Sequence, residues 1–588
     1  MRINYIDVLK AFAIIAVVLY HAGFMTYGYL GVDLFLVIAG YLTTKSLYSK
    51  VLANTQTGGG ISYVGFEVSR IIRLLPPLLV AGAFCMVLGY FVMLPDDYEN
   101  LSESVIASNL FGNNILAAIT TKNYWDVVNE FKPLMHTWYV GLVMQFYLVY
   151  PVLFLLAKID KKNSKTTLLT MIATLAVVSL LVYFGTEDAA KRFYYLPSRF
   201  FEFAIGGIVA LTYNPKENKP FGGVFVYVCY ALLLALMAIN ADLLPSNIRL
   251  VSVVALSTVL LCSQDVLENK ISGNTFLAMI GAASYSIFIW HQIVLAFCRY
   301  SITYNFTVPV FILILLVTAL MSWLSYRFIE QTITKAISTK RVKIVLYSST
   351  IALFLALNAF ASYIYINAGV VRDIPELYVS VQNKHRGMHA EYVDRANLYN
   401  KPFTTDKHHW YVIGNSFGRD FVNVILESPI ADSVEVSYST DVNFRKEKER
   451  FKQADMVFIS TLGLTEELVT EVEILCLANG LQPNQLVVVG EKNFGVSNGQ
   501  VYAKRGDDDY FDKYVDVEDK EHFIVKNKYF AELYGERFID LMSFVTNNKD
   551  QVRVFSPDHH FISADCRHLS KGGAIMFSHL INWDKYLR

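Results

Sequence analysis

Recurrent apolar stretches constrain this chain more than any other feature. Eleven segments, centred on Ala16, Val37, Val80, Tyr147, Leu175, Ile208, Ala231, Ala255, Ile289, Leu315 and Phe354, are apolar over most of their length. A helix of about 20 such residues crosses a hydrocarbon core about 30 Å thick. Within lipid the backbone must satisfy its own hydrogen bonds, so these segments are expected to be helices. Hydrophobic residues make up 54% of the chain and charged residues 17%, with a mean hydropathy of +0.37. Those values exclude an ordinary soluble enzyme. Charge is sparse before about residue 340 and dense after about residue 370, as expected when lipid solvates one part and water the other.

Loop charges orient the chain through the preference of Lys and Arg for the cytoplasmic side. Lys45, Lys50, Arg70 and Arg73 follow the second segment, and Lys158, Lys161, Lys162 and Lys165 the fourth. Arg327, Lys335, Lys340, Arg341 and Lys343 follow the tenth, whereas the other loops are acidic or mixed, as at Pro95–Glu99. The N-terminus is therefore expected inside and everything after about Gly369 outside. The first apolar run lacks a small-residue cleavage site, so no cleavable signal peptide is expected. A net charge of zero gives no sign of a nucleic-acid partner. Only Cys476 and Cys566 lie outside apolar segments, and their spacing does not support a disulfide.

The chain thus divides into a membrane domain (1–335), one further transmembrane helix (336–369), an extracytoplasmic linker (370–408) and a soluble domain (409–588). In the last, short apolar strands at Tyr411–Ile413, Val434–Tyr438, Met456–Ser460 and Leu486–Val489 alternate with helical stretches. That alternation argues an α/β domain with a parallel sheet.

Ionisable groups inside a membrane are costly, and each is a functional candidate. Asp7 and Lys10 open the first segment, His21 closes it and Asp33 begins the second. Arg70 and Arg73, like Arg199 and Glu202, are three apart and share a helix face. His136-Thr137-Trp138 begins the fourth segment; Ser284-Tyr285 and Trp290-His291 mark the ninth. Structural readings stand beside these: Arg70 and Arg73 as cytoplasmic anchors, Arg199 and Glu202 as an ion pair, Asp7 and Lys10 as a first-turn salt bridge. His21 has little packing value at a segment end, and its titration range suits proton transfer.

Taken in order, these residues resemble the membrane acyltransferase-3 family. The resemblance rests on Ile6-Asp7 to Lys10, Tyr20-His21, Gly31-Val32-Asp33 to Gly40, Arg70-Ile71-Ile72-Arg73-Leu74-Leu75-Pro76 and His136-Thr137-Trp138. It continues through Gln145-Phe146-Tyr147, Tyr195 to Arg199, Glu202 and Gly206, Ser284-Tyr285 to Trp290-His291, and Tyr326-Arg327 to Glu330, covering about residues 1–335. The family's usual Glu pair before Gln-Phe-Tyr is replaced here by Val143-Met144. A carboxylate is therefore missing, and Asp7 or Asp33 is the expected substitute to orient His21.

The soluble part resembles an SGNH hydrolase domain. Ser416, in Gly414-Asn415-Ser416, sits between a strand and a helix N-terminus, where backbone N–H groups can hold an oxyanion. Asp565 and His568, three residues apart, would supply the orienter and the base. Gly463 and Asn493 are the expected oxyanion donors, although Asn493 departs from the family's Gly-x-Asn spacing.

Together the resemblances imply a bacterial inner-membrane O-acetyltransferase that takes acetyl from cytoplasmic acetyl-CoA to a surface glycan, with no metal. Arg70 and Arg73 would hold the donor phosphates. His21 would act as base or acyl acceptor, supported by Asp7, Lys10, Asp33, His136, Trp138, Arg199, Glu202, Tyr285 and His291. Ser416 would carry the group to the acceptor. The favoured acceptor is lipid-linked O-antigen of lipopolysaccharide, with peptidoglycan or capsule as alternatives. A non-catalytic glycan sensor is the alternative of another class.

Overall fold

The computed structural model describes residues 4–55, 62–121, 129–157, 164–214, 223–239, 244–263, 275–336, 340–378, 392–563 and 565–587. Lys158, Lys161 and Lys162, used above for orientation, lie outside the described residues, as does 379–391 of the expected linker. The chain forms two compact units, Met1–Phe91 with Asn100–Tyr363 and Val92–Glu99 with Ile364–Arg588.

A helix covers every expected centre in the first part of the chain. These are α1 (Asn4–His21), α2 (Gly31–Thr55), α3 (Tyr63–Val92), α4 (Trp138–Leu156), α5 (Ser164–Gly185) and α6 (Leu196–Thr212). They continue with α7 (Gly223–Ala238), α8 (Ser246–Leu261), α9 (Ser284–Ser301), α10 (Val308–Ser325) and α11 (Lys340–Ile366). The expected count of spans is not met. Among the described residues 6 helices are long and apolar enough to cross a membrane, or 7 if Phe276–Ala282 and α9, bent by 75°, form one span. Part of the shortfall has a physical cause: α7 and α8 have 16 residues each, roughly 24 Å of helix at a 1.5 Å rise. The acidic stretch at Pro95, expected in a loop, opens a helix, Pro95–Asn109, with Asp96 and Asp97 in its first turn. Carboxylates there meet the positive end of the helix dipole.

Small residues decide the central packing of this unit. A Cβ added at Gly40 of α2 would lie 1.9 Å from the Phe203 carbonyl oxygen, and one at Gly206 of α6 would lie 2.0 Å from that of Val37. Without side chains at both points the two backbones touch, the approach that small residues permit between membrane helices. That approach brings Asp33 of α2 to Arg199 of α6.

The second unit contains a five-stranded parallel sheet in the order β2-β1-β3-β4-β6. Its strands are β1 (His408–Ile413), β2 (Val434–Ser439), β3 (Met456–Ser460), β4 (Leu486–Val489) and, after the outlying β5 (Tyr514–Asp516), β6 (Phe538–Ile539). All four expected strands are present. Trp410, Val412, Phe458 and Val487 face one core; Tyr411, Ile413, Val457 and Leu486 face the other. A sheet buried on both faces explains why the strands read as continuous apolar runs. Cys476 and Cys566 are free.

Described residues of the stretch expected as linker pack on this unit, Ile374 and Leu377 in one core and Ala396 in another. Thr404 and Thr405 donate N–H and hydroxyl groups to Glu435 of β2 at 2.8 to 2.9 Å. Burial alone would raise the Glu435 carboxyl, but these donors outweigh it and lower it from the ordinary 4.5 to about 2. A depressed folded-state value stabilises above the unfolded value and is lost as pH falls through the folded one. The Glu435 contribution is therefore complete above about pH 4.5 and disappears toward about pH 2. In acid titrations of the detergent-solubilised chain followed by near-UV dichroism, Glu435→Gln is expected to unfold more readily at neutral pH and to show a weaker pH dependence across that window. Superimposable acid-unfolding curves would remove the assignment.

Candidate active site

In the membrane unit, the end of α1 meets α9. His291 Nε2 lies 3.1 Å from His21 Nδ1, and the ring centroids are 5.1 Å apart. Because carbonyl oxygens only accept, the neighbouring carbonyls fix the tautomers. His291 Nδ1 donates to the Phe288 carbonyl at 2.7 Å, which leaves a lone pair on Nε2 of the neutral ring. His21 Nδ1 likewise carries its proton, shared between the Val17 carbonyl at 3.1 Å and His291. The lone pair of His21 is thereby placed on Nε2. His136 is the third ring, 5.2 Å from His291; its Nε2 donates to the Ile289 carbonyl at 3.1 Å. Its Nδ1 is buried with no partner among the described residues. Arg299 donates to the His21 carbonyl at 2.6 Å and the Glu130 carbonyl at 3.2 Å, which anchors the end of α1.

The expectation that Asp7 or Asp33 orients His21 is corrected. Asp7 pairs with Lys10 at 3.5 Å. Asp33 pairs with Arg199, which also holds Glu202 through Nε at 2.9 Å, and all three side chains are no more than 1% exposed. The close approach of α2 and α6 commits Asp33 to the guanidinium, and His291 takes the place beside His21. Trp138 packs 4.9 Å from Phe193, whose ring also lies 5.3 Å from the Arg199 guanidinium.

Beside the histidines the unit holds a cavity of about 340 Å³ with Lys10, Arg70 and Arg73 among its lining residues. Among the described residues no carboxylate lines it, and Val143 does, at a position where the resemblance led us to expect a carboxylate. Arg70 lies between the rings of Phe66 at 4.9 Å and Tyr147 at 5.0 Å, a stacked setting that a planar guanidinium suits. Tyr285 donates to the Leu74 carbonyl at 2.6 Å, tying α9 to the helix that bears Arg73.

In the second unit, the nucleophile candidate lies at the carboxyl ends of the strands, where the order turns from β2-β1 to β3 and open sheets place their sites. Ser416 begins α12 (Ser416–Leu426), and Asn415 caps it, accepting from Phe417 N at 3.2 Å. Asn415 also binds Leu462 in both directions at 3.1 Å, so the exits of β1 and β3 are pinned together. A Cβ at Gly414 would lie 1.7 Å from the Ser460 carbonyl oxygen, so only glycine allows this approach. Asp565 Oδ2 lies 2.5 Å from His568 Nδ1, and its Oδ1 accepts the N–H groups of His568 at 2.7 Å and Arg567 at 2.9 Å. Burial would raise the Asp565 carboxyl, but His568 and these N–H groups hold it well below the usual range. It stays ionised and leaves the lone pair of His568 on Nε2. The ring of Phe417, next to the serine, is 6.2 Å from that of His568.

Both expected oxyanion donors have other partners in the structure. Gly463 N–H donates to Glu491 at 3.1 Å, as does Leu464 N–H, and His522 and Lys526 complete the carboxylate's shell at 3.0 and 2.5 Å. The Asn493 amide donates to Glu518 at 3.4 Å, and its oxygen accepts from Gly495 and Glu518. Glu491 leaves β4 beside the exit of β3, so strand pairing carries its carboxylate to those amides. The Ser416 N–H, at the first position of α12, remains suited to an oxyanion, since first-turn amides lack intrahelical partners.

With both geometries described, the comparisons decide the family. Residues 3–327 match the acyltransferase domain family. The chain belongs to that family. It is 28% identical over 357 residues to O-acetyltransferase OatA of Staphylococcus aureus strain NCTC 8325 / PS 47, covering 56% of this chain and 57% of the relative. OatA of strain COL matches to the same extent. The chain thus spans a little over half the length of these curated relatives. No solved structure matches. The parallel sheet of the second unit is consistent with an SGNH-like domain.

Sequence reasoning missed the residues that brace the Ser416 region. Lys492 and Asp420, at most 2% exposed, pair at 2.8 Å, and Asp420 also accepts Leu569 N–H at 3.1 Å. The Lys492 ammonium lies 3.4 Å over the Phe417 ring. Burial lowers the Lys492 ammonium from its ordinary value, against the pull of Asp420. The one local signal was Asp420 standing four residues after Ser416, on the same helix face. Removing one partner of a buried pair strands the other, at about 3–5 kcal/mol. Lys492→Met is expected to destabilise this unit by that amount, and Lys492→Met with Asp420→Leu by clearly less. Denaturant unfolding of the purified chain checks this; equal losses for single and double variants would contradict it.

Proposed function

We propose that the chain is a membrane O-acetyltransferase that takes acetyl groups from cytoplasmic acetyl-CoA and delivers them to hydroxyls of a surface glycan. One observation carries this reading: a cavity lined by three cationic side chains, with no carboxylate among its described lining residues, is walled by Phe288, whose ring neighbours His291 of a hydrogen-bonded histidine pair. Arg70 and Arg73 bind donor phosphates, for which guanidinium groups are suited, and Lys10 adds charge. His21 Nε2 attacks the thioester carbonyl, an N–C bond forms, and the C–S bond breaks. The His21 Nδ1 proton moves to His291 Nε2, and the thiolate departs, so charge balances. The N-terminus lies in the cytoplasm and the second unit outside the inner membrane, the arrangement the loop cations favour. All eleven helices contribute to the membrane domain in this reading, the shorter ones within the bundle.

Outside, Ser416 carries the acetyl group onward. Ser416 Oγ forms a C–O bond to the acetyl carbonyl as the bond to the group that delivered it breaks, and His568 Nε2 passes the Ser416 proton to that leaving group. A glycan hydroxyl then attacks the acetyl-serine, losing its proton to His568, which returns it to Ser416 as the seryl ester bond breaks. Asp565 holds the imidazolium, and the helix N-terminus stabilises the oxyanion in both steps. The relatives' name, O-acetyltransferase, supports the chemistry. Lipid-linked O-antigen is the first acceptor to assay. Mass spectrometry of surface glycans from cells with and without the protein reads acyl group, acceptor and position together; acetylated peptidoglycan or capsule would replace O-antigen, and no change would refute the proposal.

His21→Ala and Ser416→Ala are each expected to lower glycan acetylation by 100-fold or more, on the order of the contribution of a catalytic base or nucleophile. Wild-type activity in either variant would remove that residue from the mechanism. Replacing Arg70 and Arg73 together by Gln should weaken acetyl-CoA binding about tenfold or more, the loss expected for charge-assisted contacts. Unchanged affinity by calorimetry would return them to an anchoring role.

A further inference from the structure

None of the three clustered histidines lines the cationic cavity; Phe288 does. Its ring is 5.0 Å from the ring of His136 and 5.8 Å from that of His291. Tyr139, also in the cavity wall, packs edge-on against it at 5.2 Å. Phe288 therefore stands where the donor space ends and the histidine cluster begins, and it is buried. Its main chain has a separate task, since its carbonyl accepts the His291 Nδ1 proton at 2.7 Å.

We propose that Phe288 is the acyl gate of the membrane site, a side chain that separates the donor cavity from the histidine pair and limits the length of the acyl group that passes. The inference rests on the reading of the cavity as the acyl-CoA site. A thioester carbonyl held in the cavity meets His21 only if the ring rotates aside. Rotation about χ1 leaves the backbone carbonyl in place, so the gate opens while His291 keeps its tautomer and His21 its lone pair. The cavity wall also includes the apolar Phe35, Val140 and Val143, which suit a short alkyl group over a charged one. A two-carbon acyl group slips past a rotated phenyl ring, and each further methylene competes with the ring for the same space.

Discrimination of one methylene by a packed apolar wall amounts to about 10-fold or more. The test uses the full chain in proteoliposomes supplied with acetyl-, propionyl- or butyryl-CoA, measuring acyl transfer to the glycan acceptor. Phe288→Ala is expected to raise the butyryl-to-acetyl rate ratio by about 10-fold or more, with Phe288→Leu intermediate and Phe288→Trp slow with every donor. An unchanged ratio in folded Phe288→Ala overturns the gate while leaving the donor site intact. Should Phe288→Ala fail to fold, Phe288→Leu decides: a shifted ratio supports the gate and the wild-type ratio overturns it. If the wild-type chain uses none of the three donors, the donor-site reading falls first and the gate falls with it.

Discussion

The membrane unit depends on one buried charge cluster. Arg199 holds Asp33 and Glu202 with all three side chains excluded from solvent. Unpaired, any of them would carry a prohibitive desolvation penalty. The pairing requires α2 and α6 to lie with backbones in contact, and the bare faces at Gly40 and Gly206 make that possible. Buried polar groups specify one arrangement where apolar surfaces alone would accept several, because hydrocarbon side chains gain little by leaving lipid for one another. With α2 set in this way, Phe35, Ile38, Ala39 and Leu42 fall into the wall of the cationic cavity.

The histidine cluster of that unit follows from what the charge cluster uses up. Asp33 is committed to Arg199, and the carboxylate expected near the cavity is replaced by Val143. An imidazole therefore orients His21. The result is a cationic cavity, a hydrogen-bonded histidine pair, and the Phe288 ring in the cavity wall beside His291.

The second unit solves a different problem, keeping loops from separate strands in register around Ser416. The segment leaving β4 supplies three successive side chains, each bound to a different partner. Glu491 takes the amides of the β3 exit, Lys492 takes Asp420 on the serine's helix, and Asn493 takes Glu518. Asp420 passes the link to Leu569, beside His568. The same bonds occupy the Gly463 N–H and one N–H of the Asn493 amide.

Much was legible in the sequence because it is local. Apolar runs of bilayer length, the parallel-sheet alternation, the Ser416 turn and the Asp565–His568 spacing depend on residues close along the chain, and the expected strands are where their patterns placed them. The span count was less secure, since hydropathy does not reveal that α7 and α8 end after 16 residues. What only the tertiary structure decided were the long-range partners: His291 for His21 across 270 residues, Arg199 for Asp33 across 166, and Glu491 for Gly463 across 28. A side chain's type states which bonds it can make. Which bond it does make depends on the group that folding brings within about 3 Å, and a residue pattern carries no record of that distance.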